Sequence, residues 1–295
     1  MIDEPLAATG VMRPPLSEQG VAFLAPSTSP AASPAASPAV DSPKNGATEF
    51  LEWFGDLGNF FWRVLRAGVT PPFEFRELFR QLDEVGSKSL PLVALAGAAT
   101  GVVLSLEARY SLTRFGAKSL LPAAIVFSVI HETGPIITGL VVSGRVGAGI
   151  GAELASMKVT EQIDAIEASA VNPYRLLAAT RILACILMLP LLTLAGDACG
   201  LLMGWVAQAL VEPLSLHQFI NSGFNGASFN DLLPPTFKTA VFGMIIGLIA
   251  CFQGMRTTGG AAGVGHAATN SVVLSSLFVI LADVVLVKLI LIFFP

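Results

Sequence analysis

The sequence predicts an all-α integral membrane protein, with an interfacial amphipathic helix at the N-terminal side and five membrane-spanning helices after it. The composition is the first reason. Of 295 residues, 53% are hydrophobic and 13% charged, with a mean hydropathy of +0.70, against about 25% charged in a soluble domain. The distribution is the second, because the apolar residues gather into long runs of membrane-spanning length. The third is small-residue spacing: Gly97/Gly101, Gly147/Gly151, Gly196/Gly200/Gly204 and Gly243/Gly247. Such pairs let helix backbones approach closely in lipid. A net charge of −4 gives no indication of nucleic-acid binding. Cys185, Cys199 and Cys251 lie inside apolar segments without paired metal-ligand spacing. They read as small core residues, and no metal site is expected.

Residues 1–48 are rich in Pro, Ala and Ser and include AASPAASPAV. This composition buries too little surface to fold, so a disordered tail is expected. Its acidic start and short apolar patch do not make a signal peptide. Within 49–88, Trp53, Phe54, Leu57, Phe60, Phe61, Val64 and Leu65 recur at helical spacing, opposite Glu52, Asp56, Asn59, Arg63 and Arg66. The pattern suits a helix lying in a membrane interface, with a short charged continuation after Pro71-Pro72. The membrane-spanning domain proper is expected over 89–295.

The predicted spans are about Leu90–Leu106, Ser119–Ser143, Leu176–Val211, Thr236–Gly254 and Ser271–Phe294. The third run is 36 residues, or about 54 Å as one helix against a hydrocarbon core of about 30 Å. It must project, tilt or break, and Pro190 marks the obvious kink. Residues 212–235 read as an extramembrane loop with short helices. Positive charges at Arg63, Arg66, Arg76, Arg80, Lys88, Arg145, Lys158, Arg175 and Arg256 place the N-terminus and the 144–173 segment in the cytoplasm and the C-terminus outside. Arg109, Arg114 and Lys118 oppose that orientation.

His131 and Glu132 stand in the middle of the second span. Ionisable groups there are costly and should face a cavity or the bundle interior. They form either a polar site in a substrate pathway or a structural hydrogen-bonding pair. A zinc-protease HExxH fails because position 135 is Pro135. Asp197, Asp283 and Lys288 pose the same choice, and a structural role is the simpler one. The glycines at 147, 149 and 151 do not fit GxGxxG, and Gly116-Ala117-Lys118-Ser119 lacks the rest of a Walker loop. No ATP site is expected in this chain, so any ATP must be bound by another polypeptide. Between Val159 and Val171, Thr160 is the expected N-cap, Ile163, Ile166 and Ala170 form an apolar stripe, and Glu161, Asp164 and Glu167 supply charge. Asn172-Pro173 should end the helix. A short acidic helix suits a protein partner, or else a solvated loop; spacing leaves both open.

The string from Glu132 to Leu183 closely resembles the MlaE/YrbE permease family, the membrane subunit of Mla/MCE-type lipid ABC transporters. The matching motifs are Glu-Thr-Gly-Pro at 132–135, Gly-Arg-Val-Gly at 144–147, Ala-Glu-Leu at 152–154, and Met157 to Glu167 with Thr-Glu-Gln-Ile-Asp-Ala. Asn172-Pro173 follows, and a second match spans Gly263-Val264-Gly265 to Asp283. The resemblance covers about 49–295 and implies a homodimeric permease of the bacterial inner membrane that moves phospholipid and is not itself an enzyme. Its implied partners are a cytoplasmic ABC ATPase, a periplasmic MCE-domain protein, and a small STAS-type protein bound to the ATPase. By resemblance, Thr160, Glu161, Gln162, Asp164, Ala165 and Glu167 form the ATPase-coupling helix. Val103, Leu104, Leu106, Glu107, Tyr110, His131 and Glu132 line the lipid pocket, and Gly144, Arg145 and Gly147 form a structural elbow. His131 stands where the family often has arginine. Two other classes fit part of the pattern. One is an ion- or proton-coupled secondary transporter using Glu132 and Asp283; the other is an intramembrane enzyme on His131-Glu132, which lacks further ligands.

Overall fold

The computed structural model describes residues 46–69, 74–225 and 229–293. The tail predicted for 1–48 lies outside the described residues, except for its last three. Among the described residues every element is helical, and five helical runs are long and apolar enough to cross a membrane.

Helix α1 (Gly46–Val69) is amphipathic, but both of its apolar faces are used. Phe60, Val64 and Ala67 are buried against the bundle, while Leu51, Trp62 and Leu65 remain exposed. Trp53 stacks on Phe278 at 5.9 Å, and Asp56 pairs with Arg256 at 2.8 Å. Helix α2 (Phe75–Gly86) leads through a tight turn into α3 (Leu90–Arg114), so the first run extends from Phe75 to Arg114, well past the predicted span at both ends. Pro91 sits in the first turn of α3, where its missing N–H costs nothing.

The second run, Lys118–Val159, is one 42-residue stretch. It comprises α4 (Leu121–Ser128), α5 (Gly134–Val142) and α6 (Ala148–Val159), joined by two π-helical segments at Val129–Thr133 and Ser143–Gly147. The expectation that the second span ends near Ser143 is therefore corrected. The chain stays helical there and absorbs an extra residue in a π-turn. A short helix α7 (Gln162–Ala168) follows. The third run, Tyr174–Ala209, opens in π geometry and continues as α8 (Thr180–Ala209) with Pro190 inside it, so it is one helix rather than two pieces. Helix α9 (Leu216–Phe224) starts in a capping box. Ser215 Oγ accepts from the Gln218 N–H at 3.2 Å, and Gln218 Oε1 accepts from the Ser215 N–H at 3.4 Å. Helices α10 (Phe229–Met255) and α11 (Gly260–Phe293) complete the bundle, each beginning earlier than predicted.

Glycine sets the packing. A Cβ on Gly97 would lie 2.3 Å from Gly196 O, and one on Gly101 would lie 1.9 Å from Gly200 O. Helices α3 and α8 thus run parallel in backbone contact. Gly243 meets the Cys185 carbonyl and Gly247 meets Ile182 Cα, which pairs α10 with α8 in antiparallel fashion. Gly151 lies against Ser271 of α11 in the same way. With apolar lipid outside, such close van der Waals approach is what holds the helices together. Gly144, by contrast, has nothing within 4 Å of its Cβ direction, so it packs against no neighbour.

Gly101→Leu is expected to lower the unfolding temperature of the purified protein markedly, since overpacking a close contact costs about 1–3 kcal/mol. Gly144→Ala should leave it within about 0.5 kcal/mol of the parent. Thermal unfolding of both variants in detergent checks the contrast.

Candidate functional site

The first π-segment carries His131 and Glu132, and Pro135 follows one turn later. Proline has no N–H to give the preceding turn. Lys238 of α10 donates from Nζ to His131 O at 2.8 Å. The same ammonium lies 3.4 Å from Glu132 Oε2 and 3.0 Å from Asp283 Oδ1 of α11. Lys238 is 1% exposed and Asp283 5%, whereas Glu132 is 49% exposed, so the cluster has a sealed end and an open end. The Asp283 Oδ1 contact is an ion pair without hydrogen-bond geometry, leaving that oxygen with no hydrogen-bond donor among the described residues. The cluster binds three membrane helices at one point.

The other predicted pathway residues fall into two sets. Leu104 packs against the buried group containing Ile125, Val129 and Ile130, immediately before His131. Val103, Leu106 and Tyr110 are exposed at 53%, 51% and 68%, and Glu107 is exposed beside them, forming one outward strip of α3. His131 is half-buried and stacks on Phe127 with centroids 4.1 Å apart. Asp197 is buried near Gly134 and adjoins a void of about 10 Å³ between α3, α5 and α8. Lys288 is exposed on α11.

At the other end of α6 the acidic helix is held rigidly. Ile163 is 4% exposed, Ile166 packs on the core, and Lys158 donates to Asp164 Oδ1 at 2.7 Å. Glu161, Gln162, Asp164, Ala165 and Glu167 are all exposed. Three local expectations are corrected. Thr160 closes α6, its hydroxyl donating to Ser156 O at 2.8 Å, and Glu161 occupies the N-cap position at φ 59°. The helix ends at Ala168, before Asn172-Pro173, because Ala170 adopts φ 60°. Ala170 is exposed and outside the apolar stripe, while Asn172 Oδ1 accepts the Tyr174 N–H at 3.0 Å.

Arg145, in the second π-segment, donates to Ser89 Oγ at 2.7 Å and to Glu84 O at 3.2 Å, tying the long second run to the α2–α3 turn. Its neighbour Gly147 packs loosely, with its Cβ direction 3.6 Å from Ile246. Arg181, fully buried, pairs with Glu153 at 2.9 Å and fastens α8 to α6. Sequence reasoning passed over Lys238 and Arg181, and met Glu153 only as part of the Ala-Glu-Leu motif. For Lys238 and Arg181 the available signal was an isolated charge within a predicted apolar span.

Comparison with known proteins fits this architecture. The family model described as Permease MlaE matches residues 78–289. The chain belongs to the MlaE permease family. A probable ABC transporter permease protein of Rickettsia typhi is 34% identical over 241 residues, covering 82% of this chain and 93% of the relative. A probable ABC transporter permease protein of Synechocystis sp. is 32% identical over 226 residues, covering 77% and 84%. The chloroplastic protein trigalactosyldiacylglycerol 1 of Arabidopsis thaliana is 31% identical over 229 residues, covering 78% and 64%. This MlaE-family chain is accordingly a multi-pass ABC transporter permease.

Two measurements probe the site's electrostatics. Lys238→Met leaves Asp283 uncompensated and should cost about 3–5 kcal/mol, whereas Lys238→Met with Asp283→Leu should recover much of the loss. Thermal unfolding of the single and double variants checks this. At the far end of the molecule, the hydrogen bond from Lys118 and the charge of Arg109 hold the Glu212 carboxyl below its ordinary 4.5. A depressed folded-state value means this stabilisation is present above pH 4.5 and fades as pH falls through the folded value. The unfolding temperatures of the parent and Glu212→Gln should therefore differ at pH 7 and converge as pH falls below the folded value.

Proposed function

We propose that this permease is the membrane subunit of a phospholipid transporter, driven by a separate cytoplasmic ATPase that seats the α7 helix. It would act as a homodimer in a bacterial inner membrane, exchanging lipid with a periplasmic MCE-domain partner, with a small STAS-type protein on the ATPase. One observation carries this proposal. The exposed acidic face of α7 is fixed by Ile163 and the Lys158–Asp164 bond to the same 42-residue run that holds Glu132 against Lys238. A push on Glu161, Gln162, Asp164, Ala165 or Glu167 would therefore be delivered along one helix to the charge cluster.

The exposed α3 strip of Val103, Leu106, Glu107 and Tyr110, with Leu104 beneath it and His131-Glu132 nearby in sequence to its packing partners, is the proposed wall for acyl chains. Gly144, Arg145 and Gly147 would act as the joint between the pathway half and the coupling half. The name of the Arabidopsis relative includes a diacylglycerol lipid, in keeping with a lipid cargo. The charge cluster also suits a second mechanism, proton- or ion-coupled transport through Glu132 and Asp283.

Charge reversal at both Glu161 and Asp164 should abolish co-purification of the ATPase, with the permease itself still folded; unchanged assembly would contradict the coupling role. Transport of phospholipid should stop in cells lacking the ATPase, while persistence would favour the ion-coupled mechanism.

A further inference from the structure

A groove of about 540 Å³ runs between α1, α2 and the beginning of the third membrane helix, away from the α3 strip and the Lys238 cluster. Its walls are almost wholly apolar, including Leu65, Leu78, Ala179, Leu183, Ile186 and Met244. Thr180 also lines it, but its hydroxyl is spent on Leu176 O at 2.8 Å. At one end stands Arg175, half-buried, whose Nε is sealed from solvent and has no hydrogen-bond partner among the described residues; Glu74 lines the same groove without an ion pair to it. A guanidinium against apolar walls is costly without an anion, and its fork of donors matches a phosphate.

The dimensions select the occupant. From Arg175 to Ile186 is eleven residues, about 16 Å of helix at about 1.5 Å per residue. That is the depth of one hydrocarbon leaflet, half of about 30 Å. A spanning helix of about 20 residues would overrun the groove, whereas one acyl chain below a phosphate fits its length and its polarity. The exposed Trp62 and Leu65 on α1 place the Arg175 end at an interface, where headgroups lie.

We infer that this groove holds one resident phospholipid of the surrounding leaflet, its phosphate on Arg175 and an acyl chain laid along α8. The lipid fills the seam between the amphipathic helix and the bundle, and it is separate from any transported lipid.

The test uses full-length protein in nanodiscs of phosphatidylethanolamine and phosphatidylglycerol, with photoreactive benzoylphenylalanine at Leu183. Intact mass should show a phospholipid adduct. Arg175→Ala should cut its yield at least fivefold, Arg175→Lys should keep it within about twofold, and Ala179→Trp, which fills the groove, should remove it. The same probe at Leu194, exposed on the same helix outside the groove, should give a low yield unaffected by these changes. An adduct to another polypeptide, or a Leu183 yield indifferent to both Arg175→Ala and Ala179→Trp in variants of unchanged elution volume, would overturn the inference.

Discussion

A lysine buried among the membrane helices is the constraint on which the middle of this bundle depends. Lys238 reaches across from α10 and donates to His131 O at 2.8 Å. An ammonium at such depth then needs its own compensation, and Glu132 and Asp283 provide it. One ammonium thereby brings three membrane helices together at a charged point. The π-turn over Val129–Thr133 carries two of its partners, with the Gly134 N–H bonded to Val129 O, five residues back.

The rest of the bundle is assembled by close backbone approach rather than by charge. The α3–α8 seam, with Gly97 against Gly196 and Gly101 against Gly200, is tight over its length. Beyond it, Ser105 Oγ donates to Gly204 O at 2.9 Å and Gln208 Nε2 donates to Ser105 O at 3.0 Å. The seam is therefore unsuited to sliding. The long second run is different. It carries two π-segments, packs only moderately at Gly147, and ends in an exposed acidic helix. Polar contacts fasten it as well, Arg145 to the α2–α3 turn and Arg181 to Glu153, beside the close approach of Gly151 to Ser271.

The helical class, the five runs and the small-residue seams were legible in the sequence because hydropathy and glycine spacing act locally. Helix ends were less so. Spans one, two and five continue beyond their apolar cores, because a helix projecting from a membrane keeps its backbone bonds while its side chains turn polar. The end of the second span was misplaced for a related reason: glycine density marks either a break or a π-turn, and tertiary packing decides between them. Thr160 looked like an N-cap, but its hydroxyl bonds back to Ser156 O and leaves Glu161 to turn the chain. Glu132 was recognised as a costly charge, yet its partner was not, since Lys238 lies 106 residues away. Family motifs named the segment that matters but could not assign its contacts.

Hydrogen–deuterium exchange on the permease assembled with its ATPase tests most directly whether the coupling helix and the charge cluster work as one lever. On trapping the ATPase with ATP and vanadate, exchange should change together at 161–168 and across the two π-segments, 129–133 and 143–147. A change confined to 161–168, with the π-segments unaltered, would contradict the account.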